Sequence, residues 1–242
     1  MTVALLLAAC GQADGSPTPT PSAASAVPSA APTAPPSTSA PPPTATGPRE
    51  LPPGPCCRGT EVEAGTYRLP IDVEFDLTVD VPPGWRVIRE DAVSVVALVR
   101  GENAIGDVSG WLAFFVLEAG EALADFQADM LATPGLEALA EPTDVTVAGL
   151  DGWRVDFRAL PNPDFVGNPS SGIPPGTQVI NAIQQYFVGG FNWVTSTPEA
   201  RVTILTLEIN GRDVVIYVEA PDAEADAGID DAMTILDTLE ID

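Results

Sequence analysis

Two apolar-rich runs, Arg201 to Ile209 and Arg212 to Glu219, are separated only by Asn210-Gly211. Asn-Gly is the preferred pair for a two-residue type I′ turn, because both turn residues must take positive φ. The two runs are therefore expected as antiparallel neighbours, and any fold of this chain must be organised around the sheet they begin.

The rest of the second half of the sequence extends that sheet. Val145 and Val147 lead into Gly149-Leu150-Asp151-Gly152, read as a turn, after which Trp153, Val155 and Phe157 alternate with Arg154, Asp156 and Arg158. Such alternation marks a strand with one face toward water. Leu77, Val79 and Val81 alternate with Thr78 and Asp80, and Pro82-Pro83-Gly84 then turns into Trp85-Arg86-Val87-Ile88. Ser94 to Val99 and Gly110 to Leu117 are more uniformly apolar, as strands covered on both faces are. Two stretches have helical spacing instead. Glu121 to Leu131 puts Leu123, Phe126 and Met130 on one stripe with Asp125 and Asp129 opposite, and Pro134-Gly135 stops it. Pro221-Asp222 opens a helix carrying Ile229, Ala232, Met233, Leu236 and Leu239, with Asp222, Glu224 and Asp226 at its positive end, and this helix is expected to pack across the sheet. The fold class is α+β, an antiparallel β-sheet flanked by α-helices.

The N-terminal region has a different character. Val3 to Ala9 is apolar and ends at Cys10-Gly11, the arrangement of a bacterial lipobox, in which the cysteine is lipidated after cleavage. It is far shorter than the roughly 20 residues a membrane-spanning helix needs, and so reads as a processing signal over residues 1–10. No Lys or Arg precedes it, as a signal peptide's basic start would require, which places the expected true start upstream. Residues 11–57 are rich in Pro, Ser, Thr and Ala and cannot bury enough apolar surface to offset their ordering entropy. They read as a disordered stalk reaching on the order of 100 Å if extended, and their composition is also that of O-glycosylated stalks. A single globular domain of about 185 residues, 58–242, completes the chain. The expected location is the cell membrane, lipid-anchored through Cys10 and facing the extracytoplasmic side.

Charge and composition exclude several functions. The net charge is −24, and all but Asp14 and Glu50 of the 34 acids lie after residue 57. Nucleic acid is not an expected partner, since binding it requires cations to neutralise phosphates. An anionic membrane surface is repelled too, so attachment falls to the lipid. The chain has no histidine and no lysine, which removes Ser-His-Asp and Cys-His catalysis, His-ligated zinc, Schiff bases and P-loop phosphate binding. No catalysis and no cofactor is expected. Cys56 and Cys57 are adjacent, with neither CxxC nor metal-ligand spacing; a strained vicinal bridge, an intermolecular link and two free thiols are the alternatives.

The run Gly65-Thr66-Tyr67, then Phe75 with Leu77-Thr78-Val79-Asp80-Val81-Pro82-Pro83-Gly84-Trp85, then Val147-Ala148-Gly149-Leu150-Asp151-Gly152-Trp153 and a closing amphipathic helix resemble bacterial lipoproteins with a Mog1/PsbP-like domain. The resemblance spans most of Gly65 to Asp242. It implies an antiparallel sheet with helices on its faces and a role as a binding or assembly factor. It carries over no functional residue. Pro161 to Gly176 departs from it as a Pro/Gly-rich insertion between strands.

That insertion supplies candidate partner-binding residues, Phe165 and Ile173, since long loops in compact domains are often binding loops. Trp193 is a third candidate, as a stacking platform; Trp85, Trp111 and Trp153 are expected in the core. Asp72, Glu74, Asp76 and Asp80 share one parity, so a strand there would align four carboxylates that attract a hard cation. The leading reading is a surface-tethered binding or assembly module for an unidentified protein or small-molecule partner. The alternatives are a solute- or cation-binding surface lipoprotein and a carboxylate-dependent hydrolase, which needs two acids about 5 to 9.5 Å apart in one cleft.

Overall fold

A computed structural model describes residues 47–55, 59–71, 74–88, 95–103, 107–117, 123–167, 172–186 and 193–241. In chain order the strands are β1 (Arg49–Glu50), β2 (Thr60–Glu61), β3 (Gly65–Leu69), β4 (Leu77–Val81), β5 (Trp85–Ile88), β6 (Val95–Asn103), β7 (Asp107–Val116), β8 (Leu136–Ala138), β9 (Thr143–Val147), β10 (Leu150–Ala159), β11 (Ala200–Ile209), β12 (Arg212–Pro221) and β13 (Glu240–Ile241). Helices α1 (Leu123–Ala132), α2 (Asn181–Tyr186) and α3 (Ala225–Leu236) complete the elements, α3 being led in by a 3₁₀ turn at Asp222–Glu224.

Among the described residues the strands form two sheets. The larger runs β2-β5-β6-β7-β12-β11-β10-β8, with β9 also on β10; the smaller runs β1-β3-β4-β13. All pairs are antiparallel except β1 with β3. The expected central hairpin is present. Asn210 and Gly211 have φ of 51° and 77°, and β11 and β12 stay in register from Ile209↔Arg212 to Ala200↔Pro221. A Cβ on Gly211 would meet nothing within 4 Å, so the cost of a side chain there is one of backbone conformation alone. Gly211→Ala is expected to lower stability by about 1 kcal/mol, measured by urea unfolding; a loss several times larger would mean that the turn makes contacts beyond its own backbone.

Period 2 decides what each face of the large sheet buries. Leu112, Phe114, Leu205, Leu207, Ile216 and Val218 point into one core with Ala232, Ile235 and Leu236 of α3 and with Leu77, Val79 and Val81 of the small sheet. Residues of the opposite parity, Ala113, Phe115, Val202, Ile204, Val215 and Tyr217, point into a second core with Phe126 and Met130 of α1 and Ile183 and Tyr186 of α2. Being covered on both faces is why these strands are almost continuously apolar.

Several expectations are corrected. The turn between β9 and β10 is Ala148-Gly149, with φ of 52° and 80°, so Leu150, Asp151 and Gly152 belong to the strand. Pro82-Pro83-Gly84 makes the expected turn, and it carries the chain from the small sheet, where β4 lies, to the large one, where β5 lies. Composition assigns residues 49–55 to the stalk, yet Arg49–Glu50 pair with β3 and Leu51 is buried in the first core. Arg49 explains part of this. Its guanidinium lies 4.5 Å from the Tyr67 ring centre, 3.0 Å from Glu63 Oε2 and 2.8 Å from the Ala64 carbonyl oxygen. The buried face of α3 is Ala225, Gly228, Ala232, Ile235 and Leu236, while Ile229 and Met233 are only half-buried and Leu239 lies beyond the helix. Trp85 is buried as expected, but Trp111 and Trp153 are half-buried against the second core.

Candidate functional site

The alternation in β10 sends Trp153, Val155, Phe157 and Ala159 into the second core and Arg154, Asp156 and Arg158 to the opposite face. Register places Thr203 opposite Asp156 and Arg201 opposite Arg158. This end of the sheet therefore presents charge where the centre presents Leu205 and Leu207.

The charges hold one another. Arg154 Nε and Nη2 donate to Asp156 Oδ1 at 3.1 and 3.0 Å, and the Thr203 hydroxyl donates to the same oxygen at 2.5 Å. Arg201 Nε donates to Asp222 Oδ1 at 3.0 Å, with Arg158 Nε 3.8 Å from that oxygen. Over this floor stand Asp226, Ile229 and Asp230 of α3 on one side and Leu139-Ala140, following β8, on the other. Together they enclose a groove of about 510 Å³. Leu139 is 39% exposed on its lip. Asp226 and Asp230 have no ion-pair partner among the described residues. Like charges four apart on a helix cost a few tenths of a kcal/mol, offset here by the helix's positive end. Chemically, the groove offers fixed paired charges, two open carboxylates and an apolar lip, which suits a ligand with hydrogen-bonding groups along an apolar frame.

Sequence reasoning did not find this groove. The parity of Arg154, Asp156 and Arg158 was visible, but Arg201 and Asp222 are brought together only by the register of β11 and β12, and Asp226 and Asp230 only by where α3 lands.

The sequence-derived candidates are dispersed. Phe165 and Ile173 are half-buried at the neck of the insertion, where Gly176 N–H donates to the Phe165 carbonyl at 2.8 Å and Asn162 N–H to the Gly176 carbonyl at 2.7 Å. The insertion is thus tied at its base, and Val166, 83% exposed, projects beside it. Trp193 packs into the second core, edge-on to Phe115, Tyr217 and Trp111 with ring centres 4.6, 5.1 and 6.2 Å away. The proposed carboxylate row does not share one strand: Glu74 lies in a bend, Asp76 pairs with Arg68 at 3.1 Å just before β4, and Asp80 in β4 accepts a hydrogen bond from Thr66. Among the described residues no three acidic or cysteine side chains gather closely enough to hold a metal ion. Asp72, Cys10, Cys56 and Cys57 lie outside the described residues. No helix among the described residues is long and apolar enough to cross a membrane.

One further acid stands apart. Among the described residues Glu219 is the buried charged group, on β12 in the second core. Burial pushes its carboxyl above the ordinary range, against the lowering effect of hydrogen bonds from Ser196, Tyr217 and Thr197. Burial and the neighbouring Glu219 push the Tyr217 phenol well up.

No protein-family model and no curated protein matches the chain. Solved structures do. The chain is similar to LpqN of Mycobacterium tuberculosis, described as involved in cell envelope biogenesis, at 14% identity and TM-score 0.42, over 74% of this chain and 92% of that one. It is similar to the cyanobacterial PsbP of Synechocystis sp. PCC 6803 at 12% identity and TM-score 0.42, over 77% and 97%. A Mog1 variant aligns at 15% identity and TM-score 0.36, over 73% and 95%. Mog1 and PsbP, the two names of the domain resemblance read from the sequence, thus both stand among the structures this chain is similar to.

Proposed function

We propose that this chain is a membrane-tethered, non-catalytic binding or assembly module that receives its partner in the groove between α3 and the β10–β11 face. The lipobox at Cys10 and the Pro-rich stalk support an extracytoplasmic, lipid-anchored placement. The observation that carries the reading is the groove itself: a concave stretch of sheet face beside α3, with its floor charges already paired and its lip apolar. Rigid, paired floor groups cost little to organise on binding, which is how a shallow site gains affinity.

The test uses the full-length chain in its own membrane, with a photo-crosslinking residue at Leu139 and a control at Asn210 on the far hairpin tip. A discrete adduct at position 139, absent at 210 and lost in an Arg154→Ala, Arg201→Ala variant, is the expected result. Equal adducts at both positions would refute the groove. A second reading puts the partner on the insertion, favoured by the exposure of Val166. Adducts at position 166 in place of 139 would establish it.

A further inference from the structure

Glu219 is held by donors of one short segment, 193–199, and by Tyr217 of its own strand. Ser196 N–H and the Ser196 hydroxyl donate to Oε1 at 2.6 and 2.5 Å, the Tyr217 hydroxyl donates to the other oxygen, and the Thr197 backbone also bonds to it. Two successive residues, Ser196 and Thr197, thus converge on one carboxyl. Among the described residues no cation faces it: β7 sets Trp111 beside Glu219, β11 sets Val202, and segment 193–199 brings Trp193, Ser196 and Thr197. Tyr217 is the one titratable group coupled to it among the described residues.

The segment so held supports the insertion. Thr195 N–H donates to the Gln178 carbonyl at 2.9 Å, Gln178 N–H to the Thr195 hydroxyl at 3.1 Å, and Ile180 N–H to the Trp193 carbonyl at 2.9 Å. Gln178 Nε2 in turn donates to the Pro134 carbonyl, and Thr177 to that of Pro174. Gly176, at the end of the insertion, lies against Pro198 of the same segment.

We infer that Glu219 is a latch: its carboxyl holds segment 193–199 on the sheet, that segment holds the base of the insertion carrying Phe165 and Ile173, and ionisation of the carboxyl loosens both. The direction follows from linkage. In the closed state the carboxyl titrates above its ordinary range because burial disfavours the charged form. In the released state it meets water and titrates in the ordinary range. Closure is therefore fully supported below the ordinary carboxyl range, loses support as pH rises toward the raised value, and levels off above it. The device tightens in acid and slackens toward neutrality, the reverse of a salt-bridged carboxylate.

Hydrogen exchange of the full-length chain from about pH 4 to about pH 8, corrected for intrinsic exchange, tests this. Protection of 193–199 and 172–180 is expected to fall about tenfold across that range while β11 holds constant. Glu219→Gln, which cannot ionise, abolishes the pH dependence. Tyr217→Phe, which removes a donor that favours the ionised form, moves the levelling-off to higher pH. Flat protection in the unmodified chain, the same pH dependence in Glu219→Gln, or an unmoved profile in Tyr217→Phe would overturn the latch. The Tyr217→Phe arm stands even where Glu219→Gln does not fold.

Discussion

Gly228→Ala lowers the stability of this protein by about 2–3 kcal/mol, whereas in an exposed helix the same change would add about 1 kcal/mol. The sign is decided by packing. Gly228 is buried in the face of α3 that crosses β7 and β12, and a Cβ there would sit 2.2 Å from the Ser109 carbonyl oxygen and 2.6 Å from the Ala220 Cβ. Neither can swing away, one being backbone and the other a methyl fixed to it. Gly110 faces the same contact, its Cβ position 3.3 Å from the Gly228 carbonyl oxygen. The two glycines let the helix approach the sheet more closely than side chains would allow. Urea unfolding of both forms with unchanged m-value is the measurement. A gain of stability would show that α3 stands further from the sheet than this geometry requires.

Trp85→Ala carries the largest expected cost, about 3–5 kcal/mol, by loss of transfer energy and the cavity left behind. Trp85 opens β5 immediately after the chain passes from the small sheet to the large one, and at 1% exposure it is among the largest fully buried side chains. It lies in the core that the two sheets and α3 share, so its removal weakens the contact between layers rather than one edge. Trp153→Ala, half-buried on the other face, is expected to cost about half as much. Denaturant midpoints of the two variants in parallel check the assignment. A cost for Trp153→Ala equal to or above that for Trp85→Ala would mean the inter-sheet core is not the main one.

The stalk boundary and the tryptophans show where pattern reading falls short. Gly47 to Pro55 has the composition of a linker, and local composition says nothing about Leu51 finding a place in the core or Arg49 finding Tyr67 and Glu63. Trp111 and Trp153 stand at core-facing parity, and they do face the second core. Parity reports direction, not depth. Depth depends on how far α1 and α2 extend over the sheet, which is a property of helix length and placement. The carboxylate row failed for a related reason. Asp76 precedes the first paired residue of β4, so the period-2 rule that would align it with Asp80 does not apply there.

The sequence by itself determined the antiparallel sheet, the β11–β12 hairpin, the two-faced burial of its central strands, the helix between β7 and β8 and the closing helix. Each depends on interactions within a turn or a strand, where Asn-Gly conformational preference and the alternation of side chains act over a few residues. Tertiary structure alone decided that β4 and β5 lie in different sheets, that Arg201 meets Asp222, that Asp226 and Asp230 overhang the β10–β11 face, and that Glu219 is buried under Ser196. Those outcomes join residues far apart in the chain through register and layer packing. They are set by how whole apolar faces fit together, a quantity that no local pattern contains.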